Sequence, residues 1–128
     1  MLDGVSILVV DDEEIIREAL YLLLTQEGCH VRMANDGQTA VQVARDESFD
    51  AVLLDIIMPK LDGLDALEKI KKFDTDLPVI MMTAKGTASN ARQAFKRGAF
   101  DFVEKPFKND DVLVVVRNAV EQRRLVTE

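Results

Sequence analysis

The chain has 128 residues, 48% of them hydrophobic and 30% charged, which suits one globular domain burying about two-thirds of its unfolded surface with no disulfide or structural metal. The 16 basic and 23 acidic residues leave a formal charge of −7 and a pI near 4.7, which argues against a dedicated nucleic-acid binder and against docking on an anionic membrane, and leaves a divalent cation as a partner. The single cysteine, Cys29, excludes an internal disulfide, and with the single histidine, His30, it is too little for a zinc site of Cys and His ligands.

The opening Met1-Leu2-Asp3-Gly4 has neither the basic nor the apolar region of a signal peptide. No stretch approaches the run of about 18 apolar residues that crosses a bilayer. A cytoplasmic address is the expectation, and Met1 fits a natural N-terminus. Ile7-Leu8-Val9-Val10 is short and β-branched, stops at Asp11-Asp12, and predicts a strand buried on both faces. Residues 14–27 space Ile15, Ile16, Ala19, Leu20, Leu23 and Leu24 as a helix, with Gly28 as its left-handed cap. Cys29 and His30 precede or begin a second, less apolar strand, Val31–Ala34, expected nearer an edge. On a strand this pair points to opposite faces, and packing or surface roles are expected for both.

Asp36-Gly37 predicts a turn before a helix near 38–46, and Ala51-Val52-Leu53-Leu54 a third strand ending at Asp55. Leu64, Leu67 and Ile70 mark a helix over 63–73, and Pro78 opens a fourth strand, Val79–Met82, that ends at Thr83-Ala84. A short polar helix near 88–97 stops at Gly98, and the fifth strand is Phe100–Val103, closed by Glu104-Lys105-Pro106. Asn109 is read as the cap of a last helix with Asp110 and Asp111 in its first turn. Alternating strands and helices predict an α/β fold, a doubly wound five-stranded parallel sheet with helices on both faces.

Functional groups in such a sheet gather beyond the carboxyl ends of the strands. Those ends carry Asp11-Asp12, Asp55, Thr83-Ala84 and Lys105. Alone, Asp11-Asp12-Glu13-Glu14 is an ordinary helix-start signal, Thr83 a satisfied hydroxyl, Lys105 a solvated lysine and Phe102 a core ring. If the first and third strands are neighbours, Asp11, Asp12 and Asp55 share one small site that needs a counter-charge, because two such groups about 4 Å apart repel by roughly 4 kcal/mol at an effective dielectric near 20. Mg²⁺ with oxygen ligands is the natural one. A carboxylate is ionised at neutral pH and attacks without a histidine base, and phosphoryl transfer asks chiefly for positioning and charge neutralisation.

Five motifs in order now resemble one family. They are Val9-Val10-Asp11-Asp12-Glu13, the stretch from Leu54-Asp55 through Met58-Pro59 to Asp62-Gly63, Met82-Thr83-Ala84, Gly98-Ala99-Phe100-Asp101-Phe102 and Lys105-Pro106-Phe107. Over about residues 5–122 the chain resembles the receiver domain of two-component response regulators. The resemblance implies a flavodoxin-like strand order of 2-1-3-4-5 and a phosphoryl group accepted on Asp55 from a histidine kinase or phosphotransfer protein. It implies Mg²⁺ held by Asp12, Asp55 and the Ile57 carbonyl, with Asp11 acting mainly through water. Lys105, the Thr83 hydroxyl and the Ala84 N–H would meet the phosphoryl oxygens, and Lys105-Pro106 would be a cis peptide. Thr83 and Phe102 would switch the surface of the fourth helix, fifth strand and last helix.

Ile57 gives no polar side chain to orient a water and Lys85 brings a second cation, which together predict a long-lived phosphoryl group; Lys85 pointing to solvent on its long flexible stem is the equal alternative. The last helix runs to Glu128 without a clear stop, as in receivers that continue into an output domain. The Gly98–Phe107 stretch and Gln122-Arg123-Arg124-Leu125 resemble enhancer-binding transcription activators, and a free-standing phosphorelay receiver is the alternative. The polar fourth helix and Val-rich last helix are the candidate homodimer face, although a core role suits those valines better. No DNA-binding motif is present. A dehalogenase-like phosphatase would want Asp-x-Asp after the first strand, and a nucleotide binder would want a glycine-rich loop there. The chain has neither. A receiver signalling by pairing alone, without phosphorylation, fits the intact residue set poorly.

Overall fold

The computed structural model describes residues 2–58, 61–84 and 88–127; at 84, 88–90, 126 and 127 it describes the backbone alone. Strands and helices alternate as β1 (Ser6–Val10), α1 (Glu14–Gln26), β2 (His30–Ala34), α2 (Gly37–Asp46), β3 (Ala51–Asp55), α3 (Gly63–Phe73), β4 (Val79–Ala84), α4 (Ala88–Lys96), β5 (Asp101–Lys105) and α5 (Asn109–Thr127). All strand pairs are parallel, in the order β2-β1-β3-β4-β5. The expected α/β class and strand order are both present.

The two-residue period of the strands divides the core into two layers. Leu8, Val10, Val52, Leu54 and Met81 face α2, α3 and α4, meeting Ala40, Val41, Ala66, Leu67, Ile70 and Ala94. Ile7, Val9, Leu53, Ile80 and Met82 face α1 and α5, meeting Leu20, Leu24, Val112, Val116 and Val120. Each fully buried leucine here contributes about 2 kcal/mol relative to an exposed one. Val112, Val116 and Val120 therefore take the core role, while Val114 stays exposed.

Local chemistry explains the boundaries. After α1, the Gly28 N–H reaches the Thr25 carbonyl at 3.0 Å and the Cys29 N–H reaches Leu24 at 3.1 Å. This paired closure puts Gly28 at φ +95°, a conformation that costs a residue with a Cβ far more. Asp36 and Asp62 are helix N-caps rather than turn residues: their Oδ1 atoms accept from Thr39 at 2.8 Å and Asp65 at 3.0 Å. Asn109 is the first residue of α5, and the Lys108 carbonyl before it accepts from Val112. The last strand starts at Asp101, one residue later than the apolar run suggested, since Phe100 only leads in through an N–H bond to Val79. Asp101 folds its carboxylate back onto the Phe102 N–H at 2.8 Å.

Candidate functional site

Register builds the site. Strands β1 and β3 are neighbours with Val10 opposite Leu54, so Asp11 and Asp55 leave adjacent strands at the same level, about 4.8 Å apart along the sheet. Asp11 and Asp55 are buried and Asp12 is exposed, and one carboxylate oxygen from each lies within 4.8 Å of the others. Strand β4 pairs Thr83 with Glu104 and Ala84 with Lys105, which brings the Lys105 side chain across from the far edge. Its ammonium lies 2.7 Å from Asp11 Oδ2, 3.3 Å from Asp55 Oδ2 and 3.9 Å from Glu13 Oε1. Asp12, Glu13, Asp55, Ile56, Ile57, Thr83 and Lys105 line an open pocket of about 300 Å³.

Asp11 is held at every polar atom but one. Its N–H donates to Ala34 at 3.2 Å, its carbonyl accepts from Arg17 Nη1 at 2.8 Å, and its Oδ1 accepts from the Glu13 N–H at 2.9 Å. The remaining Oδ2 is buried with no aligned hydrogen bond, and charge alone ties it to Lys105. Burial first, and the Asp11 charge second, push the Asp55 carboxyl up to about 6 against the pull of Lys105. Burial pulls the Lys105 amine down, but its contact with Asp11 and the charges of Asp55 and Asp11 outweigh that, so it sits above its ordinary value. The proton therefore stays on Lys105, and among the described residues three carboxylates face this one ammonium.

An all-oxygen donor set with an unsatisfied buried oxygen suits a hard divalent cation such as Mg²⁺. Thr83 is buried at the pocket wall, whereas the Ile57 side chain is 68% exposed. Phe102 is half-buried and stands away from the acids, packing edge-on against Phe95 of α4 with ring centroids 5.9 Å apart. Lys105-Pro106 is cis. Lys85, with Pro59 and Lys60, lies outside the described residues. His30 is exposed on β2. Cys29 is buried, and burial, helped by Glu27, Asp3 and Asp50, pushes its thiol to about 11.

Two supporting residues escaped sequence reasoning. The glycine at 63 has no room for a side chain: a Cβ there would run into the Asp55 carbonyl and the Ile56 backbone. Its N–H instead donates to the Ile56 carbonyl at 2.6 Å, folding the start of α3 onto the acid-bearing strand. The motif contains this glycine, but an Asp-Gly pair is equally good turn chemistry. Arg17 gave no signal beyond its place one turn into α1. A larger cleft of about 730 Å³ between α2 and α3, flanked by Gln42, Arg45 and Lys69, gathers no such acid cluster.

The model of the response regulator receiver domain matches residues 7–117. The chain belongs to that family. The receiver is 38% identical over 122 residues to the regulatory protein AtoC of Escherichia coli strain K12, covering 95% of this chain and 26% of AtoC. Its fold superposes on crystalline NtrX from Brucella abortus with a TM-score of 0.92 at 40% identity, covering 97% of this chain and 28% of that one. With the isolated NtrX receiver domain the TM-score is 0.86 at 43% identity, covering 90% and 98%. The receiver thus spans about a quarter of the length of AtoC. It is a signalling domain of two-component systems, and its relatives include transcription regulators.

Proposed function

We propose that Asp55 accepts a phosphoryl group from the phosphohistidine of a sensor kinase or phosphotransfer protein. One observation carries this reading: a buried carboxylate at the floor of an open pocket, 3.3 Å from the Lys105 ammonium and grouped with Asp11 and Asp12. An Asp55 carboxylate oxygen attacks phosphorus, the P–N bond to the donor imidazole breaks, and the nitrogen keeps the electron pair. Asp12, Asp55 and the Ile57 carbonyl would hold Mg²⁺, with Asp11 acting mainly through water. When bound, the ion would supply neutralisation of charge on the transferring oxygens. Lys105 then turns from the carboxylates to a phosphoryl oxygen, and the Thr83 hydroxyl and Ala84 N–H take the others.

Phosphorylation adds about −1.5 to −2 charge and three strong acceptors. Thr83 moves toward them and frees the space that Phe102 enters, giving up its edge contact with Phe95. The α4-β5-α5 surface follows as a two-state population shift. The receiver is the regulatory domain of a longer cytoplasmic protein whose output domain follows α5, of the enhancer-binding activator kind. A homodimer through α4 and α5 is one route for the signal, and the receiver itself reads no nucleic acid. Ile57 leaves an attacking water unoriented, so the phosphoryl group persists, and Ile57→Asn should shorten its lifetime.

Incubation of the chain with Mg²⁺ and phosphoramidate tests the reading. One phosphoryl group per chain, absent from Asp55→Asn, is the expected result. Multiple turnovers releasing phosphate rapidly, as in a phosphatase, or labelling of the amide variant would overturn it.

A further inference from the structure

Resting on the metal reading above, we infer that Arg17 is a positioning residue that sets the direction of Asp12 through the peptide joining it to Asp11. The Arg17 Nη1 donates to the Asp11 carbonyl at 2.8 Å from the second turn of α1. That carbonyl and the Asp12 N–H belong to one planar peptide unit. Fixing the oxygen therefore fixes the direction in which Asp12 leaves the strand. The Asp11 N–H is already tied to Ala34 in β2 at 3.2 Å, and the Asp11 side chain is tied to the Glu13 N–H. With Arg17 in place, both peptide planes flanking Asp11 are anchored. Asp12, the exposed member of the acid trio, thus leaves the strand from an anchored peptide.

Charge and geometry predict opposite effects, which makes the inference testable. A guanidinium close to the acid cluster repels a divalent cation. If Arg17 acted only as a charge, deleting it would tighten Mg²⁺ binding. If it only pinned α1 to β1, deleting it would lower the melting temperature and leave Mg²⁺ affinity alone. As an orienting group, its deletion weakens Mg²⁺ binding, as loss of an outer-shell partner does at other metal sites.

Isothermal titration of the full chain with MgCl₂ distinguishes these, with each variant first melted in EDTA. Arg17→Met keeps the stem and loses the donor; its Kd for Mg²⁺ should rise about tenfold, the lower end of the range for such partners. Arg17→Lys restores one donor and the charge and should recover most of the parental affinity. Phosphorylation of Arg17→Met by phosphoramidate should be slow at low Mg²⁺ and reach the parental rate at saturating Mg²⁺. Parental or tighter binding in Arg17→Met, binding in Arg17→Lys as weak as in Arg17→Met, or a rate deficit that survives saturation would each overturn the inference. If Arg17→Met does not fold, Arg17→Gln, with a shorter amide donor, carries the expectation of intermediate affinity. Asp12→Asn is the control: weakened Mg²⁺ binding there with none in Arg17→Met sinks the role of Arg17 alone. Unchanged binding in Asp12→Asn sinks the metal reading and this inference with it.

Discussion

At the carboxyl ends of the strands, Asp11, Asp12 and Asp55 gather around the Lys105 ammonium; at the amino ends, opposite charges meet in pairs. There Arg123 grips Asp74 through two contacts of 3.0 and 3.1 Å, and Arg117 reaches Glu27 at 3.3 Å. Lys71 donates to the Thr75 and Leu77 carbonyls at 2.6 and 3.0 Å, and Asp50 accepts from the Ser6 N–H at 2.8 Å. These paired charges and backbone contacts fix the helices at that end. The other holds surplus negative charge in a buried place, at a cost in stability, and that surplus is what a metal and a phosphoryl donor would act on.

Replacing the central acid breaks this contrast most severely. Asp55→Asn should lose all labelling by phosphoramidate, yet melt at a higher temperature than the parent in EDTA at pH 7, because it removes a charge that the fold disfavours. A lower melting point would refute the surplus-charge account. The Asp55 carboxyl lies at about 6 instead of 3.8, so the folded receiver binds this proton more tightly than the unfolded chain does. Stability should therefore fall as pH rises from about 4 to about 6 and level off above, by at most roughly 3 kcal/mol for a shift of this size. Urea titrations in EDTA of parent and Asp55→Asn, compared across that window, isolate this slope. Mg²⁺ at a hundred times its Kd should then return about 2.7 kcal/mol at pH 7.

Gly63→Ala sharpens the comparison from the backbone side. It forces a methyl group against the Asp55 carbonyl and should cost about 2 kcal/mol in urea unfolding, with slower labelling. The smallest effect belongs to the amino end. Arg123→Ala should lose about 1 kcal/mol of stability while labelling and Mg²⁺ affinity stay at the parental values. A change in labelling there would mean that the two ends are coupled.

Much of this was legible in the sequence because it depends on local pattern. The apolar runs of β1, β3 and β4 end abruptly at Asp11, Asp55 and Thr83, and abrupt ends mark both strand boundaries and the site. Helix starts at Asp36 and Asp62 were less legible, since the same Asp-Gly pair serves as a turn or as a cap followed by a tight first residue. The strand order came from a family likeness, because nothing in the spacing of five strands says which are neighbours. The 2.7 Å approach of Lys105 to Asp11, rather than chiefly to Asp55, depends on how a side chain from the far edge crosses β4. Arg17 was silent for the same reason: its partner is a backbone carbonyl, and a carbonyl has no residue type to read.

The fold-back of Asp101 onto the Phe102 N–H has a consequence for colloidal behaviour. Strand β5 is an outer rim of the sheet, where open amides invite strand addition from another molecule. With one of those donors taken by a carboxylate and Glu104 exposed nearby, an incoming chain would have to displace a hydrogen bond and bury charge before pairing. The receiver is thereby guarded against edge-to-edge aggregation along this strand.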